Sequence, residues 1–324
     1  MQNSITKIVA GVLLSAAITG CAFAEDAYPS RPIEVIVHRN GGSTWAGGRI
    51  IADALSRALN SAVVVIPKPA GAGTAAPIYV ARSAADGYTL FVVNSGTNGT
   101  MPEILDVPYK NADFDYYALY GTQPMVLVVK ADSPFKTVKD LVDEAKKHPG
   151  KLFYSTSSFG AQSHFVMELF KLSAGNLKID QVPYKSAPES VAGLLGGFVD
   201  VASTYLADVK GQIDAGSLRI LAVPEEKRLA MYPDVPTYAE SGYPDVVSTA
   251  WFGIGAPKGV PKPIADKLKA ELDKVIHQPD VEKQLTTIGY TPTYMDSEAF
   301  TKFVNDQERI FARIAKEANI KPPK

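Results

Sequence analysis

Short β-branched runs in this chain are repeatedly followed by a loop of small residues and then a helix, and this alternation restricts the fold more than any other feature. Ile33-Glu34-Val35-Ile36-Val37 leads into Gly41-Gly42-Ser43-Thr44-Trp45-Ala46-Gly47-Gly48. A helix is predicted over 49–59, with Ile50, Ile51, Leu55 and Leu59 on one face. A strand at 63–66, a helix opened by Gly71-Ala72-Gly73-Thr74 and a strand at 88–93 after the Asp86-Gly87 turn complete the first unit. Strands alternating with helices mark an α/β arrangement around a mostly parallel sheet. The pattern restarts with strands at 125–130, 152–155, 199–203 and 218–223 and helices at 138–148, 164–172 and 188–195. The last third returns to a strand at 251–256, a helix opened by Pro261 and Pro263, and a terminal helix carrying Phe300, Phe303, Val304, Phe311 and Ile314. At roughly 100–200 residues per domain, 324 residues suit two α/β lobes. The expected division is 25–124 with 252–324 for the first lobe and 125–251 for the second, with a ligand cleft between them.

The start of the chain is an address. Lys7 precedes an apolar run at 8–18, too short for a membrane helix of ~20 residues, and Ala22-Phe23-Ala24 is an A-x-A cleavage site. Residues 1–24 are therefore predicted to be a signal peptide. Ile18-Thr19-Gly20-Cys21 also resembles a lipobox, in which Cys21 would be lipidated. Cleavage after Ala24 is the reading adopted; it leaves 32 basic against 34 acidic residues and removes the single cysteine. No later stretch reaches the ~18 apolar residues of a membrane span, so the mature protein is expected in the periplasm, free or tethered by lipid. A net charge of −1 on the full chain gives no attraction to nucleic acid or an anionic membrane. One cysteine and four scattered histidines give no disulfide and no zinc pattern, and no cofactor motif occurs.

The loop at Gly41 to Thr44 carries the most chemistry. Small residues between a strand and a helix let backbone N–H groups converge, the helix N-terminus adds positive potential, and the Ser43 and Thr44 hydroxyls add donors. Such a loop cradles a carboxylate or phosphate, or serves chain reversal alone. It lacks the lysine of a Walker A loop, and the GxGxxG fingerprint does not occur in the chain. Ser155 to Ser158 and Asn94-Ser95-Gly96-Thr97 repeat the arrangement after two other strands. Open α/β sheets bind ligands at the carboxyl ends of their strands. Trp45 and Phe159 sit in two of these loops, either for packing or to sandwich a planar ligand. Ser157 and His164, with Asp200 or Asp208 to orient the base, make a hydrolase the alternative, although no GxSxG elbow occurs.

Several stretches resemble the extracytoplasmic solute receptors of tripartite tricarboxylate transporter systems, the Bug/TctC-like family. They are Tyr28-Pro29-Ser30-Arg31-Pro32-Ile33, the Gly41-Gly42-Ser43-Thr44 loop, Asp86-Gly87-Tyr88-Thr89-Leu90, Val182-Pro183-Tyr184-Lys185, Leu194-Leu195-Gly196-Gly197, Pro233-Asp234-Val235-Pro236-Thr237 and Trp251-Phe252-Gly253. The resemblance implies an α/β type II periplasmic binding protein, not an enzyme, whose two lobes close on a small carboxylate. It also implies a monomer that delivers the ligand to integral-membrane permease subunits, with a sensor role as a variant. Carried over, Gly41 to Thr44 with Arg39 and Asn40 form the first-lobe side, closed by Ser95, Gly96 and Thr97. Ser157, Ser158, Phe159, Gly160, Ala161 and Gln162 form the second-lobe side, with Thr204 and Tyr205 from a further loop. The chain departs from the family pattern at Trp45, Phe159, Ala161 and Thr204, where polar or acidic residues are usual. Loss of acids, with Arg39 available for a second carboxylate, implies an aromatic carboxylate or dicarboxylate such as a phthalate isomer.

Overall fold

The computed structural model describes residues 28–157, 159–184 and 186–320. The predicted signal peptide, Cys21, Ser158 and Lys185 lie outside the described residues. In chain order the first elements are β1 (Ile33–Val37), α1 (Gly42–Leu59), β2 (Val63–Pro67), α2 (Ala75–Ala81), β3 (Thr89–Asn94), α3 (Met101–Ile104) and β4 (Phe114–Gln123). Then come β5 (Met125–Lys130), α4 (Val138–Lys147), β6 (Leu152–Thr156), α5 (Gln162–Ser173), β7 (Ile179–Pro183), α6 (Ala187–Leu195), β8 (Val201–Tyr205), α7 (Leu206–Asp214) and β9 (Leu218–Ala222). The chain closes with β10 (Ala250–Pro257), α8 (Lys262–Ile276), α9 (Pro279–Thr287), β11 (Thr291–Met295) and α10 (Ser297–Glu317).

These strands form two sheets. The first has six strands in the order β11-β4-β10-β3-β1-β2, the second five in the order β7-β6-β8-β5-β9. Helices cover both faces of the first sheet, so its central strands need no polar face. All eight residues of β10 are buried, and β3 is buried from Leu90 to Asn94. One apolar layer joins Val35, Leu55, Phe252 and Leu268, and the opposite layer joins Ile36, Phe91, Trp251 and Phe300.

The mostly parallel sheet expected from the alternation is mixed. β1 pairs in parallel with β2 and β3, but β10 runs antiparallel to β3 and β4, and β11 antiparallel to β4. The long strands β4 and β10 are the reason: they carry the chain out of the first sheet and back, and so must run against each other. In the second sheet β5, which continues from β4 after Pro124, is likewise antiparallel to β8 and β9.

Two boundaries differ from the expected lobe division. Ala250 and Trp251, assigned to the second lobe, already pair with Gln123 and Thr122 in the first sheet. The end of α10, assigned to the first lobe, packs into the second: Phe311, Ile314 and Ala315 belong to one cluster with Phe165, Phe170 and Tyr154. The heptad-like spacing of Phe300, Val304, Phe311 and Ile314 gives α10 one long apolar stripe, long enough to touch both lobes.

Local sequence also misplaced the start of α1. Gly47 and Gly48 suggest a loop up to Arg49, yet helix begins at Gly42 because both glycines are buried where it packs on the sheet. Close packing outweighs the low helix propensity of glycine. Residues 95–97, expected as loop, start a π-helical turn over Ser95–Thr100. Strands β4, β7 and β11 and helices α7 and α9 were not predicted. β11 is an edge strand carrying Pro292, which weakens its strand signal.

Phe311 is 1% exposed, and its ring meets Phe165 edge-on at 5.8 Å. Phe311→Ala is expected to destabilise the protein by about 3–5 kcal/mol. Urea denaturation measures this; a loss below about 1 kcal/mol would show that α10 does not tie the second lobe.

Candidate functional site: a cleft between the two sheets

A cleft of about 640 Å³ lies between the sheets. The first sheet contributes residues 38–44, Pro69, Gly73, Asn94, Gly96 and Met101; the second contributes Ser157, Phe159, Ala161, Gln162, Tyr184, residues 186–188, Tyr205 and Asp208. Helices α1, α5, α6 and α7 start at its wall; α6 begins after Ser186, whose hydroxyl caps it by accepting from the Glu189 amide. α1 begins after Gly41, α5 after Ala161 and α7 after Tyr205, and none of these N-cap residues makes a side-chain capping bond. The first amides of a helix have no partner within it, and the end carries partial positive charge. Gly41 and Gly42 hold φ values of 91° and 73°, which side chains rarely adopt, and that backbone turns the α1 amides toward the cleft. Away from the cleft, Thr137 and Asp296 cap α4 and α10, while α2, α8 and α9 start without a side-chain cap.

The expected site residues divide into two groups. Arg39, Asn40, Gly41, Gly42, Ser43, Thr44, Gly96, Ser157, Phe159, Ala161, Gln162 and Tyr205 line the cleft. Trp45, Ser95, Thr97, Gly160 and Thr204 are not among the lining residues, and Ser158 lies outside the described residues. Ser95 and Thr97 are fully buried; the Ser95 hydroxyl donates to Gln162 Oε1, and the Thr97 hydroxyl to Asn98 Oδ1 at 2.8 Å. Gly160 accepts from the Thr100 hydroxyl at 2.6 Å, and a Cβ there would lie 2.6 Å from Ile104 Cδ1. Thr204 donates to Asp208 Oδ2 at 3.2 Å. Trp45 packs against the core of the first lobe with the Arg49 guanidinium 5.1 Å from its ring centroid, and is not among the lining residues. As part of α1, Trp45 points where the helix phase sends it, so a sandwich with Phe159 does not form.

Gln162 joins both sides. It accepts from Ser95 of the first lobe, and its Nε2 donates to Ser248 Oγ at 2.9 Å, beside the return strand. Buried with no exposure, it fixes the start of α5 against the π-helical turn. Such turns often mark functional sites.

Histidine chemistry is quiet here. Burial pulls His38 down to about 3, helped by Arg39. Asn94 Nδ2 lies 3.2 Å from its Nδ1, and Arg39 Nε 3.2 Å from its Nε2, so an added proton would face two donors. Burial also lowers His164 to about 4, although Glu168 opposes the shift. Its Nδ1 accepts from the Gly160 amide at 3.2 Å, and its Nε2 lies 3.9 Å from Glu168. Both nitrogens are thus turned away from Ser157. Asp200 accepts from the Phe153 amide and Asp208 from Thr204, so neither orients His164. The geometry of a Ser157–His164 hydrolase is not assembled.

The sequence reading placed His38, Pro69, Gly73, Met101, Tyr184, residues 186–188 and Asp208 outside the ligand wall. Tyr184 and Ser186 follow β7 as the other loops follow their strands, a signal hidden because β7 itself was not predicted. Asp208 restores an acid to a cleft expected to have lost its acids. Burial raises it to about 6, against the pull of Thr204 and Arg39. Among the described residues no group of three or more His, Cys, Asp or Glu side chains is placed to hold a metal ion. No helix among them is long and apolar enough to cross a membrane.

These shifts make opposite contributions to acid stability. The two histidines titrate near 6.5 when unfolded, so between about 4 and 6.5 the unfolded chain binds more protons and stability is lost as pH falls. Asp208, at about 6, and Glu225, raised by burial to about 7 beside Thr249, hold protons in the native state and add stability as pH falls from 7 to 5. The double variant Asp208→Asn, Glu225→Gln is therefore expected to lose more stability than the wild type between pH 7 and pH 5. Equal losses in urea titrations at the two pH values would contradict this.

Known proteins share this architecture. The model of the tripartite tricarboxylate transporter family receptor, TctC, matches residues 48–320. Protein BugT of Bordetella pertussis is 32% identical over 98% of this chain and 99% of its own. A structure from R. palustris with adipate superposes with TM-score 0.83 at 30% identity, covering 91% of this chain and 100% of the other. MatC from Rhodopseudomonas palustris with bound malate gives TM-score 0.79 at 25% identity, covering 89% and 99%. Two sheets flanking a cleft are the type II periplasmic binding protein fold, and with a family match of this extent the chain belongs to the tripartite tricarboxylate transporter receptors of the Bug/TctC type.

Proposed function

We propose that this protein is a periplasmic receptor that captures a small organic carboxylate by closing its lobes and delivers it to the membrane subunits of a tripartite tricarboxylate transporter. The observation that carries this reading is the uncapped start of α1. Its first amides, the Ser43 and Thr44 hydroxyls and the Arg39 charge face one cleft, which is the chemistry of carboxylate capture. The protein acts as a monomer and as a binder, not an enzyme. Lobe one is 25–124 with the chain from Ala250 onward, and lobe two lies between; closure bends the connections beside Pro124 and Thr249. Contacts from both lobes to one ligand favour the closed form.

The ligand body meets apolar wall: Pro69, Met101, Phe159 and Pro188 line the cleft. This suits an acid with an aromatic or aliphatic body, benzoate-like in its apolar part, better than a hydroxyl-rich tricarboxylate. Relatives have been solved with adipate and with malate, both small carboxylates.

Titration calorimetry of the mature protein with aliphatic and aromatic mono- and dicarboxylates tests the reading. Ser43→Asp sets a negative charge in the cradle and is expected to weaken binding by on the order of a hundredfold. Phe159→Ala is expected to cost about three- to tenfold, whereas Trp45→Ala should stay within about twofold of wild type. Undiminished binding by Ser43→Asp would remove the α1 cradle from the site.

A further inference from the structure

Asp208 lines the cleft, yet an ionised carboxylate in a pocket for carboxylates repels its own ligand. It is the third residue of α7 and stands on the second-lobe wall beside Tyr205. Among the described residues its one hydrogen-bond partner is the Thr204 hydroxyl, on Oδ2. Oδ1 therefore keeps its accepting capacity for whatever enters. Arg39, across the cleft on the first lobe, is the cation close enough to act on it; Tyr205 and Tyr290 are the neighbouring phenols, both kept protonated by burial, and His38 is neutral. An ionised carboxylate only accepts, and a polar wall group left unpaired in a complex costs affinity.

We infer that Asp208 is a specificity-determining residue that selects acids carrying a hydrogen-bond donor besides the carboxylate, and that discriminates against a second carboxylate at neutral pH. The inference rests on the receptor reading above. Arg39 and Asp208 then form a matched pair: the cation, with the α1 amides, takes the carboxylate, and Asp208 takes the hydroxyl or amine. Excluding the dicarboxylate follows from like charge, since its second carboxylate meets Asp208 without a shared proton. Acidification relieves the exclusion, because protonated Asp208 loses its charge and becomes a donor.

Matched ligands test this directly. The three hydroxybenzoates are compared with the three phthalate isomers, and 6-hydroxyhexanoate with adipate, by titration calorimetry on wild type and Asp208→Asn at pH 7.5 and pH 5.5. Asparagine keeps an acceptor for Thr204, and circular dichroism checks the fold of the variant. In the wild type at pH 7.5 the best hydroxy acid is expected to bind at least about tenfold tighter than its dicarboxylate partner. The dicarboxylates are expected to gain about tenfold at pH 5.5. Asp208→Asn should weaken the hydroxy acid by about tenfold, strengthen the dicarboxylate, and abolish its pH dependence. Carboxylate binding with no hydroxy-acid preference, or a preference unchanged in Asp208→Asn, overturns the role of Asp208 and leaves the receptor intact. Silence from every acid overturns the receptor reading, and this inference with it.

Discussion

The unsatisfied amides at the start of a helix are the interaction on which this molecule is built. A helix must end somewhere, and its first N–H groups need partners. α4 and α10 supply their own with Thr137 and Asp296. α6 begins at the cleft with its own cap, Ser186, whereas α1, α5 and α7 begin there with none. In the proposed receptor reading, an anion that completes those ends from both lobes would gain from each, coupling ligand capture to lobe closure.

Holding two lobes in register without freezing them requires contacts of two kinds. α10 supplies an apolar one, with Phe300 in the first lobe's core and Phe311 in the second's. Gln162 supplies a polar one, linking Ser95, on the first-lobe wall, to Ser248 near the chain's return. Between them run the paired connections at Pro124 and Thr249, where Glu225 accepts from Thr249. Ser95, Thr97 and Gly160, which do not line the cleft, belong to this framework; their polar groups bond to neighbours. A donor-rich loop in sequence is thus part cradle and part scaffold.

How much of this was legible in the sequence differs by element. β1, the turn at Gly41 that follows it and the strand at Leu152 were plain, because β-branched runs and glycine punctuation act over a few residues; Gly42 to Thr44, read as loop, are already helix. The same locality failed at Gly47 and Gly48, which read as loop and are helix, and at β4, whose strand state depends on β10 and β11 lying beside it. Ser157 and His164 are seven positions apart and look like a nucleophile and base. Only the fold shows His164 turned to Gly160 and Glu168.

The sequence by itself determined the two-lobe α/β class, the family, and the glycine turn at the first-lobe wall of the cleft, since each is carried by contiguous residues with fixed backbone preferences. Tertiary structure alone decided that Trp45 leaves the cleft while Asp208 enters it, that α10 spans both lobes, and that Gln162 bridges the wall. Those outcomes depend on helix phase and on residues far apart in the chain meeting across a cleft. Neither is encoded in any short stretch: phase is set by where α1 starts under the sheet, and the cleft exists only once β4 and β10 have carried the chain out and back.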